Sequence, residues 1–401
     1  VDLLRKGSLK HIKNIFEKGY IEINEFSTRS GITPLIAAII NNRPDVVKYF
    51  LKSDVIDINL MDRSQVTPLS AAISSNFLDI VKNLLDDKRL DINRQSLGGI
   101  TPIHVAISVN SNEICIELLK RSEIDLNILE KNGNSPLVLA ISVGNDDLCN
   151  LLIDDERVNI NLVNKVKMTP LHIAVSMNRP VSVINKLLSC KDISLNEQEE
   201  NGMTSLNFAV YMNRLDVVRI LLNKDSIDPN LGDKWKMSPL HIAISAKVDR
   251  QIVDALVNHK DIDLNSSNVN GGTPLFVAIN VENEDAVELL LGNTKVDVNS
   301  VDSNELTPLF MAILKNSLPI TKLLVDRGDV DVNYRFREMT PLIYSVINNQ
   351  IDFVKLLLTA DSLDVNKQVA GQNASQLAQS KGYIEIEKIL EDAKQTKIII
   401  Q

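Results

Sequence analysis

Side chains equipped for covalent, redox or metal chemistry are sparse in this sequence, with five histidines and three cysteines among 401 residues. His104, His172 and His241 lie 68 and 69 residues apart, and Cys115, Cys149 and Cys190 are separated by 34 and 41. A structural zinc site draws ligands in pairs a few positions apart, and a disulfide framework needs a denser set of cysteines. Neither pattern is present. The sequence contains no phosphate-cradling glycine loop, no Gly-x-Ser-x-Gly and no His-Glu-x-x-His. Glu197, Glu199 and Glu200 are close enough in sequence for acid–base work. They sit in a polar, turn-like run, where solvent leaves two carboxyls with similar pKa values. Asn265-Ser266-Ser267 and Asn373-Ala374-Ser375 match glycosylation acceptors and, with no secretory signal at hand, are read as chance matches. No catalytic, cofactor-binding or metal-binding residue is assigned, and an enzyme is not expected.

Composition narrows the class further. Hydrophobic residues make up 44% and charged residues 24%, values of a folded chain rather than a disordered one. A formal charge of -9 spread along the length repels phosphate backbones, so nucleic acid is not an expected partner. No apolar run is long enough to span a bilayer, and Val1-Asp2-Leu3-Leu4-Arg5-Lys6 lacks the apolar core of a signal peptide, so direct membrane insertion is not expected. With three scattered cysteines this suggests a reducing, cytoplasmic setting. The chain starts at Val1 in mid-pattern and is read as a fragment.

The elements that position these residues follow from a period. A Thr-Pro-Leu-like triplet begins at Thr33, Thr67, Thr101, Ser135, Thr169, Thr204, Ser238, Thr273, Thr307 and Thr340, spaced 33 to 35 residues apart, with a degraded eleventh copy at Asn373. Thr, Ser and Asn cap helix N-termini, and the proline that follows suits the first helical position. The residue four beyond the cap is always apolar, and the one five beyond is Ala in every copy except Ser345, a small side chain for close helix packing. Nine beyond the cap stands Asn or Gly in nine of eleven copies, residues that tolerate the left-handed backbone ending a helix. A second apolar-periodic run, such as Val46-Val47 with Phe50-Leu51, predicts an antiparallel partner helix. Each unit then closes with an alternating segment such as Ile56-Asp57-Ile58-Asn59 and a polar, glycine-bearing tip, read as extended chain and a hairpin.

Helix, tight turn, helix and hairpin, with Thr169-Pro170-Leu171-His172-Ile173-Ala174 at the start of one unit, resemble the ankyrin repeat over nearly the whole chain. The resemblance implies an all-α ankyrin-repeat solenoid, helix-turn-helix plus a β-hairpin loop per unit, curved so that hairpin tips and first helices line a concave face. One domain spans 1–401: a partial repeat at 1–27, units starting near 28, 62, 96, 130, 164, 199, 233, 268, 302, 335 and 368, and a C-terminal tail at 392–401. It also implies that His104, His172 and His241 bond backbone of an adjacent hairpin. Cys115 and Cys149 share one apolar position in neighbouring second helices and are read as core, whereas Cys190 lies in a loop as a candidate exposed thiol. Asn often stands where the family places its inter-helix Gly, and the loop after the second helix is one residue longer than the family's form.

Family members bind protein partners on the concave face, so the residue before each cap, those seven and eight beyond it, and the tips are the candidate contacts. They are unevenly apolar. Met168, Met177, Met203, Tyr211, Met212, Trp235 and Met237 cluster centrally, with Phe336 and Met339 three units on. Five of eight methionines and the only tryptophan fall in the central cluster, the equipment of an adaptable protein-binding surface. Packing between hairpins is the competing reading for each. The function expected is a protein–protein interaction scaffold or adaptor, a monomer rather than an oligomer. Alternatives are a regulatory or targeting arm of a larger protein and a structural, self-associating array.

Overall fold

The computed structural model describes residues 2–27 and 31–400, with side chains of 3–27 and 31–394. The expected unit boundary near 28 lies outside the described residues. Several first helices start on a hydrogen bond to the side chain of the cap residue. The Ile36 N–H donates to Thr33 Oγ1 at 3.2 Å, Ser70 N–H to Thr67 Oγ1 at 3.0 Å and Phe310 N–H to Thr307 Oγ1 at 3.3 Å. That satisfies one of the orphan donors of the first turn, while proline at the next position has no N–H to orphan. Two turns later the chain turns left-handed at all eleven positions nine beyond the cap, from Asn42 (φ 51) to Gly382 (φ 71). Lys247 (φ 51) and Glu282 (φ 53) adopt this conformation without the freedom of Gly or Asn.

Contacts divide the chain into two units, Val1–Glu200 and Asn201–Gln401. In the first, helices Pro34–Ile40, Pro68–Ser74, Pro102–Ser108, Pro136–Val143 and Pro170–Ser176 pack each on the next. Behind them Leu9–Glu17, Pro44–Leu51, Leu78–Leu85, Asn112–Leu119, Asp146–Ile153 and Val181–Leu188 form a second layer, and the short Asp2–Lys6 packs on Pro34–Ile40 as a curtailed first helix. In the second unit the first layer is Ser205–Tyr211, Pro239–Ser245, Pro274–Asn280, Pro308–Leu314, Pro341–Ile347 and Ala374–Lys381. Its second layer is Leu215–Leu222, Arg250–Val257, Glu284–Leu291, Leu318–Arg327, Ile351–Leu357 and Ile384–Ile400. The last helix carries on through 392–400, the stretch read from sequence as a tail.

The recurring alanines explain how closely the layers approach. Ala38, Ala72, Ala106, Ala140, Ala174, Ala209, Ala243, Ala278, Ala312 and Ala378 are all fully buried. Any larger side chain there would overpack the seam.

The hairpins differ from expectation. Among the described residues, Gln368–Val369 with Gln372–Asn373 is the one two-stranded ladder, and Ser96–Ile100 and Phe336–Met339 form isolated bridges. The Ile56–Asn59 type of segment forms turns rather than a strand, with Ile56 and Ile58 buried. Its backbone groups are satisfied by an asparagine ladder instead. Asn59 Nδ2 donates to the Arg89 carbonyl at 2.8 Å, and its Oδ1 accepts the Asp91 N–H at 2.8 Å. Asn93 repeats this with Glu123 and Asp125, Asn265 with Lys295 and Asp297, and Asn299 with Asp329 and Asp331. In each of these pairs one amide ties a repeat to the next, reading a carbonyl and an N–H at once.

Candidate partner-binding surface

The central hairpin tips are built from the residue five before the cap. Asp233 Oδ1 accepts the N–H groups of Trp235 and Met237, both at 2.9 Å, and its own N–H donates to the Met237 carbonyl at 3.1 Å. The chain must then pass through a left-handed residue, Lys236 (φ 57), to close the loop. Asn164 holds Val166, Lys167 and Met168 in the same way, with Lys167 at φ 61. Such a turn fixes the backbone of the tip and turns its central side chain outward. Neighbouring tips are tied backbone to backbone. Lys165 N–H donates to the Asn132 carbonyl at 3.1 Å, Lys234 to Asn201 at 2.8 Å and Val269 to Trp235 at 3.0 Å. The approach is close enough to demand glycine: a Cβ on Gly271 (φ 75) would meet the Ser303 nitrogen at 2.7 Å.

The candidates from sequence separate into two groups. In the first unit Met177 is exposed, at 49% of its surface, and Met168 is half-buried beneath its tip. In the second, Tyr211, Met212 and Trp235 are exposed at 62%, 40% and 53%, Met203 is half-buried, and Met237 is half-buried with its Sδ 3.6 Å from Asn268 Nδ2. Phe336 and Met339 are placed differently. They are half-buried against a core of Phe276, Leu306 and Phe310, with the Phe336 ring 5.2 Å from that of Phe310. The Tyr344 ring lies 5.4 Å from that of Phe310. For this pair the geometry is that of packing between neighbouring hairpins and first helices.

Among the exposed apolar side chains not singled out from sequence are Leu97, Val166 and Val269, exposed at 66%, 42% and 51%. All sit on tips three or four residues before a cap, the register of Trp235, and that offset was the signal available. Val269 is the most informative, because its backbone bond to Trp235 places two exposed apolar tips side by side.

The histidines are structural. His104 Nδ1 accepts from the Thr101 N–H at 3.3 Å and faces Thr101 Oγ1 at 2.7 Å, while Nε2 lies 3.3 Å from the Asn134 carbonyl of the next hairpin. His241 does the same with Ser238 and, at 3.0 Å, Gly272. Burial holds both imidazoles below their ordinary pKa, against the opposing pull of those carbonyl hydrogen bonds. His172 caps Thr169 through the same Nδ1 contacts. Cys115 and Cys149 are fully buried free thiols, pushed up to about 12 mainly by that burial. Cys190, expected as an exposed thiol, is partly buried with its Sγ 3.6 Å from the Lys186 carbonyl, and burial raises its pKa too. Glu199 is buried rather than solvated, contrary to its reading as exposed tip surface. No group of three or more His, Cys, Asp or Glu able to hold a metal ion occurs among the described residues.

The family description "Ankyrin repeats (3 copies)" matches residues 4–96, 88–164, 143–233, 225–302 and 294–370, nearly the whole chain. The chain belongs to the ankyrin repeat family. Ankyrin repeats are in general protein–protein interaction modules. Among curated relatives, the transient receptor potential cation channel subfamily A member 1 of Homo sapiens is 33% identical over 95 residues, 24% of this chain and 8% of the channel. The neurogenic locus notch homolog protein 1 of Xenopus tropicalis and that of Homo sapiens are each 31% identical over 93 residues, 23% of this chain and 4% of theirs. The chain thus matches under a tenth of the length of these relatives. Among the described residues, no helix is long and apolar enough to cross a membrane.

Proposed function

We propose that this ankyrin chain is a recognition scaffold or adaptor that engages a partner protein with the face carrying its hairpin tips and first helices. The observation that carries the reading is the exposure of Tyr211, Met212 and Trp235 on that face. Large apolar and aromatic side chains left in water, set on rigid short elements, are the usual anchors of protein interfaces. Met177 in the first unit adds a flexible thioether on the same kind of element. The recurring residues have structural duties as cap, seam or turn, which favours recognition over catalysis.

Replacing Trp235, Tyr211 and Met212 together by alanine is expected to weaken capture of partner protein from source-cell lysate at least tenfold, a loss of about 1.4 kcal/mol or more. Capture unchanged by the triple substitution defeats the assignment. A second reading is favoured by the relatives, in which the matched stretch is a small part of a much longer protein. In that reading the array is the regulatory or targeting arm of a larger polypeptide, and the full open reading frame decides it.

A further inference from the structure

The charge on the second unit is segregated in a way its total conceals. Its first three tip-and-first-helix segments, residues 201–213, 233–247 and 268–282, contain three lysines, Lys234, Lys236 and Lys247, against the carboxylates of Asp233 and Glu282. The second helices and following turns of the same repeats, 214–232, 248–267 and 283–301, hold eleven acidic against six basic residues. Asp233 moreover spends Oδ1 on the two N–H groups of its own loop. Among the described residues none of the three lysines is in an ion pair, whereas on the second helices Arg214 pairs with Asp216 and Arg250 with Asp285 and Glu288. Lys247 lines one pocket with Glu282, Glu284 and Asp285, whereas Lys234 and Lys236 flank the exposed Trp235, so the positive charge of this face is concentrated at that tip.

The lysines are also placed on the aromatic anchor. Lys234 Nζ lies 4.4 Å from the centroid of the Trp235 ring and 2.7 Å from Asn201 Oδ1. Lys236 follows Trp235 directly, and the neighbouring tip adds Val269 without adding charge. The first unit carries the same arrangement once, as Lys165-Val166-Lys167-Met168, with Val166 exposed and both lysines outside any ion pair among the described residues. There the Glu200 N–H bonds the Val166 carbonyl, and the exposed apolar residue is an aliphatic one rather than the tryptophan.

We propose that the segment recognised at the Trp235 tip is an acidic peptide with an apolar anchor: an aliphatic or aromatic side chain against Trp235 and Val269, flanked by carboxylates that meet Lys234 and Lys236. This rests on the reading of that face as a protein-binding surface and specifies its partner. Lysines beside an aromatic hot spot favour oppositely charged partners and repel basic ones, mostly through encounter rate and specificity. A single-stranded nucleic acid would also offer negative charge and stacking faces, but the surrounding acidic repeats oppose a long phosphate backbone and not a short peptide.

Trp235 is the only tryptophan, so its fluorescence reports occupancy of this tip in the full chain without a label. Three nine-residue peptides free of tryptophan and tyrosine share a Leu-x-x-Phe centre, with glutamate, glutamine or lysine in all flanking positions. An oligothymidylate of ten nucleotides is the fourth probe. The glutamate peptide is expected to shift Trp235 emission with a Kd at least tenfold below that of the glutamine peptide, and 0.5 M salt to shrink the gap to under threefold, as screening requires. Lys234→Gln with Lys236→Gln is expected to bring the glutamate-peptide Kd to within threefold of the glutamine-peptide Kd of the same variant, with far-UV circular dichroism confirming an intact fold. Equal binding of the glutamate and glutamine peptides, or tighter binding of the lysine peptide, overturns the acidic partner while Trp235 keeps its role as a contact. Saturable quenching by the oligonucleotide alone overturns it in favour of nucleic acid. Emission indifferent to every probe overturns the inference, and the triple-alanine capture experiment then tells whether the underlying reading falls with it.

Discussion

Five residues beyond the cap, ten repeats carry alanine and one carries Ser345, fully buried with an Oγ that finds no hydrogen-bond partner among the described residues. A buried hydroxyl without a partner loses its hydration and gains nothing in return. Ser345→Ala restores the residue of the other ten repeats and is expected to raise stability by about 1 kcal/mol, read as a higher urea midpoint at unchanged slope. A lower midpoint would mean that the hydroxyl has a partner. The buried histidines make the opposite kind of statement. Their Nδ1 must accept the cap donors, so protonation breaks the cap as well as burying a charge. Because the folded pKa lies below the unfolded value of about 6.5, the unfolded chain binds more protons in mild acid. Stability present at neutral pH therefore declines as pH falls through about 6.5 toward the lowered folded values. The carboxylates of Asp45, Asp87, Asp155 and Asp216, held low chiefly by hydrogen bonds from neighbouring arginines, fail only below about pH 4. Asn207 shows what can replace histidine, since it accepts from the Thr204 hydroxyl and donates to the Leu231 carbonyl at 3.2 Å. His104→Asn with His241→Asn should shrink the drop in urea midpoint between pH 7.5 and 5.5; an undiminished drop places the titration elsewhere.

At the scale of elements, the sequence was most legible where one residue type has one physical duty. Thr, Ser or Asn at the cap, proline after it, alanine at the seam and Asn or Gly at the left-handed turn located all eleven first helices and their ends. It was least legible in the closing segments. The alternation of Ile56-Asp57-Ile58-Asn59 is real, but it records burial of the isoleucines and exposure of the polar pair rather than a strand. What holds these segments is the asparagine two after the aspartate, whose partner is in the next repeat and so leaves no local trace. Asn299→Ala removes the bonds to the Asp329 carbonyl and the Asp331 N–H, and is expected to cost about 1 to 2 kcal/mol. Amide hydrogen exchange at Asp331 should accelerate with it. Unchanged exchange there would show the ladder to be incidental. The candidate surface divides along the same line. Sequence offsets found Trp235, Tyr211 and Met212, yet could not foresee that Phe336 and Met339 fold inward against Phe310, because direction depends on the aromatic rings of the neighbouring repeats.

For the whole molecule, each helix touches its own partner and the corresponding helices of adjacent repeats within a unit, so the contacts that build the fold are local in sequence. That locality is why a period read from one chain recovers the family, and why it says little about ligands: the fold recurs unchanged while the surface varies from repeat to repeat. The division at Glu200 and Asn201 left no mark in the period, since the polar tip there keeps its spacing. In the proposed function the tip and first-helix face, not merely any exposed apolar residue, meets the partner. Ile116 and Leu151 on the second helices, exposed at 41% and 40%, provide the internal comparison. A benzoylphenylalanine photo-crosslinker placed in turn at positions 211, 235, 116 and 151 and irradiated in source-cell lysate tests the claim directly. Adducts of discrete mass formed from 211 and 235 and absent from 116 and 151 are the predicted result, and adducts of equal yield from all four, or from the second-helix positions alone, would contradict it.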